Sequence, residues 1–177
     1  MIVLATKSEA RRKLFKKCKR NAVFAKADID EGRLDGERVE DYLLRVSFLK
    51  AFVFYQHSIT VIGADTVIEF EGKIIGKPKD DEEAFSILKM LSGDYHRCLT
   101  GVTILKNDRC ISFVNEAIVY MERLDDSEIW EYVKSCEYKG KAAGYAIQKK
   151  AGRFMRVVRG DITTVVGLPM KKLCSII

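Results

Sequence analysis

Residues 60–68 read TVIGADTVI, two apolar β-branched runs separated by a carboxylate and a hydroxyl. Such runs are typical of a buried β-strand, where a charge loses hydration free energy unless a partner offsets the loss. Asp65 therefore indicates a nearby cation or a reacting water, and it is the candidate catalytic carboxylate. Taken alone, an Asp at a strand end is more often a helix cap or one half of a structural ion pair.

Strand and helix patterns alternate on both sides of this run. Strands are predicted at Val3-Leu4, Ala22–Ala25, 60–70, 73–75, 96–105, 111–122 and 154–158. Helices are predicted after Thr6–Ser8, over 37–56, over 80–91, from Asp125, and after Pro169. The chain contains no repeat, linker or low-complexity tract, so the pattern indicates one continuous domain.

The composition also fits a single domain over residues 1–177. The chain is 47% hydrophobic, enough to bury a core without disulfide or metal staples. Its five cysteines are odd in number and form no CxxC pair, so we expect reduced thiols in a cytoplasmic protein and no zinc site. No leader pattern and no apolar stretch of about eighteen residues is present, so we expect a soluble protein without a membrane partner.

The formal net charge of +6 favours an anionic partner, either a phosphorylated metabolite or a nucleic acid. Much of the excess lies in and just after the first predicted helix, where residues 11–20 read RRKLFKKCKR. A cluster of this kind is usually a solvated helix face. Charge alone therefore does not choose between these partners.

A first cluster of functional side chains lies at the start of that helix. Thr6 and Ser8 supply hydroxyls beside free backbone N–H groups, and Arg11 follows one turn further on. Together they form a favourable seat for phosphate oxygens. An ordinary capped helix is the commoner explanation of the same pattern.

A second cluster combines two carboxylates with two lysines. Glu31 and Asp65, from separate segments, could hold a divalent ion that lowers the pKa of a bound water. Lys50, on the apolar stripe of the second helix, and Lys77, at the bend formed by residues 76–78, would balance phosphate charge. A lysine on such a stripe more often runs its stem along apolar surface.

A third cluster is KAAGYAIQ at residues 141–148. Small residues let a ligand approach the backbone closely, and the amide of Gln148 presents both a donor and an acceptor to a base edge. A tightly packed turn is the alternative interpretation.

Read in order, these motifs resemble the Maf family of nucleoside triphosphate pyrophosphatases over almost the whole chain. The matching segments are LATKSEARR at 4–12, DIDE at 28–31, Lys50-Ala51, GADT at 63–66, GKPKDDEEA at 76–84, residues 91–101, KAAGYAIQ at 141–148, Gly160-Asp161 and Gly167-Leu168-Pro169. Each motif alone is weak, whereas nine in register are a strong signal.

The resemblance implies a mixed α/β fold with a twisted mixed β-sheet, flanking helices and two lobes around a central cleft, similar to inosine triphosphate pyrophosphatases. It also implies a homodimer. The implied reaction is hydrolysis of a nucleoside triphosphate between the α and β phosphates, which yields a monophosphate and pyrophosphate. The implied partner is therefore a nucleotide, with no stable nucleic-acid partner.

The resemblance also assigns catalytic roles. The Asp of GADT is the proton acceptor in the family, which is Asp65 here. The resemblance completes the catalytic site with Glu31, Lys50 and Lys77, and it implies Mg²⁺ or Mn²⁺ held by Asp65 and Glu31.

The substrate preference follows from the same comparison of motifs. GADT together with AIQ is similar to the branch of the family that acts on dTTP and UTP, so Thr66 and Gln148 favour a pyrimidine base. Four positions depart from the family pattern: Glu9 stands for a Pro, Ala10 for an Arg linked to substrate choice, Gly140 for an Asp, and Lys149 for a Gly. We expect these departures to shift or weaken base discrimination.

Two other functions fit parts of the sequence. An inosine triphosphate-type pyrophosphatase shares the LAT opening at residues 4–6. A basic nucleic-acid-binding domain fits the charge, although the sequence lacks the aromatic platform or recognition-helix motif of such proteins.

Overall fold

The computed structural model of the protein describes residues 1–18 and 20–177, so Lys19 of the basic segment lies outside the described residues. Within those residues the strands are β1 (Ile2–Ala5), β2 (Ala22–Ala25), β3 (Thr60–Phe70), β4 (Lys73–Ile75), β5 (Tyr95–Lys106), β6 (Arg109–Met121) and β7 (Met155–Arg159). The α-helices are α1 (Glu9–Lys16), α2 (Val39–Phe52), α3 (Asp81–Leu91), α4 (Asp126–Lys134), α5 (Ile162–Val166) and α6 (Met170–Cys174). Short 3-10 helices cover Ala142–Gly144 and Lys150–Arg153.

The strands form one seven-stranded sheet in the order β2-β1-β3-β5-β6-β7, with β4 paired to β3. Strand β1 is parallel to both β2 and β3, whereas β4 is antiparallel to β3 and β7 is antiparallel to β6. The sheet is therefore mixed and has helices beside it, which confirms the mixed α/β class. In the described part of the chain, no helix has the length and apolar character needed to cross a bilayer.

The chain forms two compact units. The first unit consists of residues 1–66, 99–115 and 163–177, and the second of residues 67–98 and 116–162. Strands β3, β5 and β6 each contribute residues to both units. The assignment of residues 1–177 to a single functional domain stays a prediction.

The first unit has apolar clusters on both faces of its strands. Leu4 and Ile62 pack with Phe15 of α1 and with Leu168 and Leu173 of the C-terminal segment. A separate cluster contains Val3, Val61, Leu105 and Ala51, the last from α2. Because successive side chains of a strand point to opposite faces, even-numbered residues of β3 face α1 and odd-numbered residues face α2.

Two glycines bring the backbone of α2 against the sheet. A Cβ atom on Gly63 would lie 2.1 Å from the carbonyl oxygen of Ser47 and 2.7 Å from the nitrogen of Ala51. A Cβ atom on Gly101 would lie 2.7 Å from the carbonyl oxygen of Leu43. Only glycine allows such an approach, so the first residue of GADT determines how closely α2 packs on β3.

The second unit is built around α3 and α4. The ring of Phe85 on α3 stacks on that of Trp130 on α4, with ring centroids 4.6 Å apart. Both helices start at an aspartate cap, Asp80 and Asp125, whose side chains accept hydrogen bonds from backbone N–H groups of the first turn. These starts agree with the helices predicted over 80–91 and from Asp125.

The expectation of reduced cysteines is wrong for two of the five. Cys18 and Cys174 form a disulfide across 156 residues of sequence, whereas Cys98, Cys110 and Cys136 are free thiols. The bond joins the segment after α1 to the end of α6, and Phe15 and Leu173 beside it share one apolar cluster. The spacing of the cysteines in the sequence could not predict this pairing, because it is the packing of the C-terminal helix on α1 that brings the two sulfurs together.

Substitution of Gly63 tests the packing of α2 on β3. We expect Gly63→Ala to lower the free energy of unfolding by about 3 kcal/mol and the melting temperature by about 10 °C, because the new methyl group meets backbone atoms. Gly76→Ala is the matched control, since a Cβ atom there meets nothing within 4 Å. Equal melting temperatures for the two variants, measured by circular dichroism, would contradict the proposed close approach.

Candidate active site

The candidate catalytic carboxylate lies in a three-residue ion-pair cluster. Lys50 Nζ is 2.7 Å from Asp65 Oδ1 and 3.0 Å from Glu31 Oε1. The side chains of Lys50 and Asp65 are only 10% and 12% exposed, whereas that of Glu31 is 46% exposed. The cation that a buried Asp65 requires is therefore Lys50 in this structure.

The position of Lys50 follows from the sequence of α2. Its inward stripe buries Val39, Leu43 and Val46, and then Lys50 in the last turn of the helix. Val53, the residue that follows on this stripe, caps the end of α2 and is 49% exposed. Lys50 is buried, and its ammonium group bridges the carboxylates of Asp65 and Glu31.

Two residues of α2 that the sequence analysis did not identify hold the segment that carries Glu31. The Tyr42 hydroxyl donates to the carbonyl oxygen of Glu31 (3.1 Å), and Arg45 Nη2 donates to that of Gly32 (2.8 Å). Burial, with the negative charges of Asp65 and Glu31, raises the pKa of Tyr42 to about 12, so its hydroxyl stays protonated and can donate. Both partners are backbone carbonyl oxygens, which every residue has, so no residue type in the sequence marked these contacts.

Arg45 also forms a two-pronged ion pair with Glu37. Its Nε and Nη2 atoms lie 2.6 and 2.8 Å from the two carboxylate oxygens, and this hydrogen-bonded contact lowers the pKa of Glu37 to about 2. The pair joins the segment before α2 to the helix itself.

The hydroxyl cluster at the start of α1 is used locally by the backbone. Thr6 Oγ1 accepts from the Ser8 N–H (3.0 Å), and Ser8 Oγ accepts from the Arg11 N–H (3.3 Å) as the helix cap. The ordinary capped helix, the commoner explanation of this pattern, is therefore present. Binding of phosphate by Thr6 and Ser8 stays a prediction.

The guanidinium group of Arg11 points to the even-numbered face of β3. Arg11 Nη2 donates to Thr66 Oγ1 (2.8 Å) and Arg11 Nε donates to the carbonyl oxygen of Gly167 (2.7 Å). Thr66 and Asp65 are adjacent in sequence, yet they contact different helices, because one faces α1 and the other α2.

Lys77 and Gln148 lie in the second unit, and both are exposed. The segments that carry them meet: the Ala143 N–H donates to the Gly76 carbonyl (2.9 Å), and a Cβ atom on Gly144 would lie 3.3 Å from Pro78. Two predicted motifs are thus neighbours within this unit. Joint action of Lys77 and Gln148 with residues of the first unit stays a prediction.

A buried histidine supports the same segment. His96 is 2% exposed, and its Nε2 lies 2.7 Å from the hydroxyl of Tyr145. Burial lowers the pKa of His96 to about 4, so the ring is neutral at physiological pH. His96 therefore contacts Tyr145 as an uncharged hydrogen-bonding partner.

With this geometry in place, comparison with known families matches residues 1–177 to the family described as Maf-like protein. The chain belongs to the Maf family. The resemblance inferred from the motifs is confirmed.

Similar Maf proteins cover nearly the full chain. A protein of Thermococcus gammatolerans named dTTP/UTP pyrophosphatase is 39% identical over 172 residues, 97% of this chain and 92% of that protein. A protein of Anaeromyxobacter dehalogenans with the same name is 38% identical, over 99% of this chain and 92% of that protein. Among solved structures, the Ham1 protein of Staphylococcus aureus aligns with a TM-score of 0.53 at 16% identity, covering 99% and 96% of the two chains, and so shows a shared fold.

The Maf chain has two candidate metal-binding carboxylates. Among residues 1–18 and 20–177, no group of three or more His, Cys, Asp or Glu side chains could hold a metal ion. Glu31 and Asp65 nevertheless converge on one point, which Lys50 contacts. Two carboxylates fit Mg²⁺, which usually takes one or two protein carboxylates and completes its shell with phosphate oxygens and water.

Removal of Lys50 tests the ion-pair cluster. We expect Lys50→Met to lower the free energy of unfolding by about 3 kcal/mol, because it leaves the buried Asp65 carboxylate without its cation. The double variant Lys50→Met/Asp65→Asn removes both charges and should regain most of that loss. Urea unfolding measures both values, and a double variant no more stable than the single one would assign the loss to packing instead of charge.

Proposed function

We propose that this Maf protein is a nucleoside triphosphate pyrophosphatase that hydrolyses dTTP and UTP to the monophosphate and pyrophosphate. The observation that carries the proposal is the buried Asp65 carboxylate, 2.7 Å from Lys50, in the GADT motif. Relatives aligned over nearly their whole length bear the name dTTP/UTP pyrophosphatase, which supports this substrate class. The likeness to Ham1 concerns the fold alone and adds no second substrate class.

In the proposed reaction, Asp65 orients a water molecule and accepts its proton as the water oxygen bonds to the α phosphorus. The bond from that phosphorus to the bridging oxygen of the β phosphate breaks, and pyrophosphate leaves. Lys50 holds the carboxylate through Oδ1, which fixes its direction before substrate arrives. An ordered general base of this kind supplies about a hundredfold to ten-thousandfold of rate.

The proposed metal is Mg²⁺ or Mn²⁺, and Glu31 with Asp65 would hold it. When bound, such an ion lowers the pKa of a coordinated water and neutralises phosphate charge. The exposure of Glu31, 46% for its side chain, leaves one side of the cluster open to solvent and so to a triphosphate.

The remaining substrate contacts belong to the same proposal. Arg11 and the start of α1 lie beside Thr66, which suits them to phosphate oxygens or to the base. Lys77 would balance charge on the leaving group, and Gln148 would contact the base. The homodimer stays a prediction.

Loss of the carboxylate tests the catalytic role. We expect Asp65→Asn to reduce pyrophosphate release from UTP and dTTP, measured with Mg²⁺, by about a hundredfold or more. Asp41→Asn is the matched control, since Asp41 is an exposed carboxylate in the first turn of α2. More than about a tenth of wild-type activity in Asp65→Asn would remove Asp65 as the general base.

Loss of the amide tests base recognition. We expect Gln148→Ala to raise the KM for UTP more than it lowers kcat, because the amide contributes to binding in both the ground and transition states. Lys149→Ala, also exposed and next in sequence, separates the effect of the amide from that of the neighbouring charge. Unchanged base selectivity in Gln148→Ala would exclude Gln148 from recognition.

A further inference from the structure

A continuous hydrogen-bonded chain runs inward from the even-numbered face of β3. Arg11 Nη2 donates to Thr66 Oγ1, Thr66 Oγ1 lies 2.8 Å from Thr100 Oγ1, and Thr100 Oγ1 donates to the carbonyl oxygen of Thr164 (2.8 Å). Thr100 and Thr164 are completely buried, whereas Arg11 and Thr66 are partly exposed. The hydrogen-bonded chain therefore has a buried end at Thr164 and a partly exposed end at Arg11 and Thr66. Thr66 directly follows Asp65 in the sequence.

The direction of every hydrogen in this chain follows from its chemistry. A carbonyl oxygen can only accept, so the single hydroxyl hydrogen of Thr100 is directed to Thr164. The contact between Thr100 and Thr66 then needs its hydrogen from Thr66. Thr66 in turn accepts from Arg11, which has only donors.

Both ends of the chain are anchored. Asn115 Nδ2 donates to the hydroxyl of Thr164 (3.1 Å), and Arg11 Nε donates to the Gly167 carbonyl just after α5. Successive hydrogen bonds also polarise one another in the same direction, from the cationic guanidinium group inward. The hydroxyl of Thr66 is thereby held with its hydrogen pointing away from the surface.

We propose that Thr100 is a positioning residue that makes Thr66 an acceptor-only group toward substrate, and thereby selects bases that carry a ring N–H. This inference rests on the proposed function, with dTTP or UTP as substrate, and on the expectation from the GADT motif that Thr66 helps to recognise the base. Uracil and thymine have N3–H beside a carbonyl group, whereas cytosine has an unprotonated N3 beside an amino group. A lone pair of Thr66 Oγ1 therefore accepts a hydrogen bond from N3–H of uracil or thymine, whereas it repels the lone pair on N3 of cytosine.

The hydrogen-bonded chain selects on one feature of the base only. Guanine and hypoxanthine also present a ring N–H beside a carbonyl group, so Thr66 and Thr100 separate keto from amino bases and do not measure ring size. Exclusion of purines then belongs to other residues of the site.

The test compares kcat/KM for UTP and CTP in wild type, Thr100→Val and Thr100→Ser. We expect a wild-type preference for UTP of about tenfold or more, since an unmatched acceptor costs about that factor. In Thr100→Val the Thr66 hydrogen is released and can turn to cytosine N3, so the preference should fall to about threefold or less while relative activity on CTP rises. Thr100→Ser restores the hydroxyl and should keep the wild-type ratio.

Thr103→Val is the matched control. Thr103 is also completely buried on β5, but its hydroxyl contacts Ser47 and Ser112 and lies on the odd-numbered face. We expect the ratio of kcat/KM for UTP to that for CTP in Thr103→Val to match wild type even if stability falls. An equal fall of this ratio in Thr103→Val, or no fall of it in Thr100→Val, would overturn the inference.

A second measurement uses wild-type enzyme alone. N3-methyl-UTP lacks the N–H, so wild-type enzyme should hydrolyse it about tenfold less efficiently than UTP. Equal use of UTP and N3-methyl-UTP by wild type would overturn the inference. No pyrophosphate from either UTP or dTTP would instead overturn the proposed function itself.

Discussion

Helix α2 packs on strands β3 and β5 with its backbone against two glycines, Gly63 and Gly101. This approach brings Lys50 Nζ within 2.7 Å of Asp65 and 3.0 Å of Glu31. A side chain at either glycine would displace α2 and separate the charges. The buried carboxylate is tolerated because its cation, Lys50, lies on a helix that the two glycines allow to pack closely on the sheet.

Strand β3 divides the first unit into two chemical environments. Asp65 faces α2 and lies among charges, whereas Thr66 faces α1 and joins a chain of hydroxyls that ends at a buried carbonyl. Adjacent residues of a strand point to opposite faces, so one dipeptide serves both environments. On this basis, the carboxylate carries the proposed chemistry and the threonine the proposed choice of base.

Most of the regular elements, and one part of the candidate site, could be predicted from sequence. Periodicity placed nearly every helix and strand within a few residues, and it placed Lys50 on the buried stripe of α2. Helix α5 was missed, because its five residues are too short to show a period. Tyr42 and Arg45 were missed as well, since their partners are backbone carbonyl oxygens. Every residue has such an oxygen, so the residue type does not indicate the contact.

The family, the mixed α/β class and the candidate carboxylate are readable from sequence alone, because they depend on local periodicity and on motifs of adjacent residues. The ion pair of Lys50 with Asp65, the disulfide of Cys18 with Cys174, and the contact of Thr100 with Thr66 emerge only from the folded chain. Each of these contacts joins segments distant in sequence. Their partners are chosen by how helices pack on the sheet, which depends on the whole core and not on any one stretch of residues.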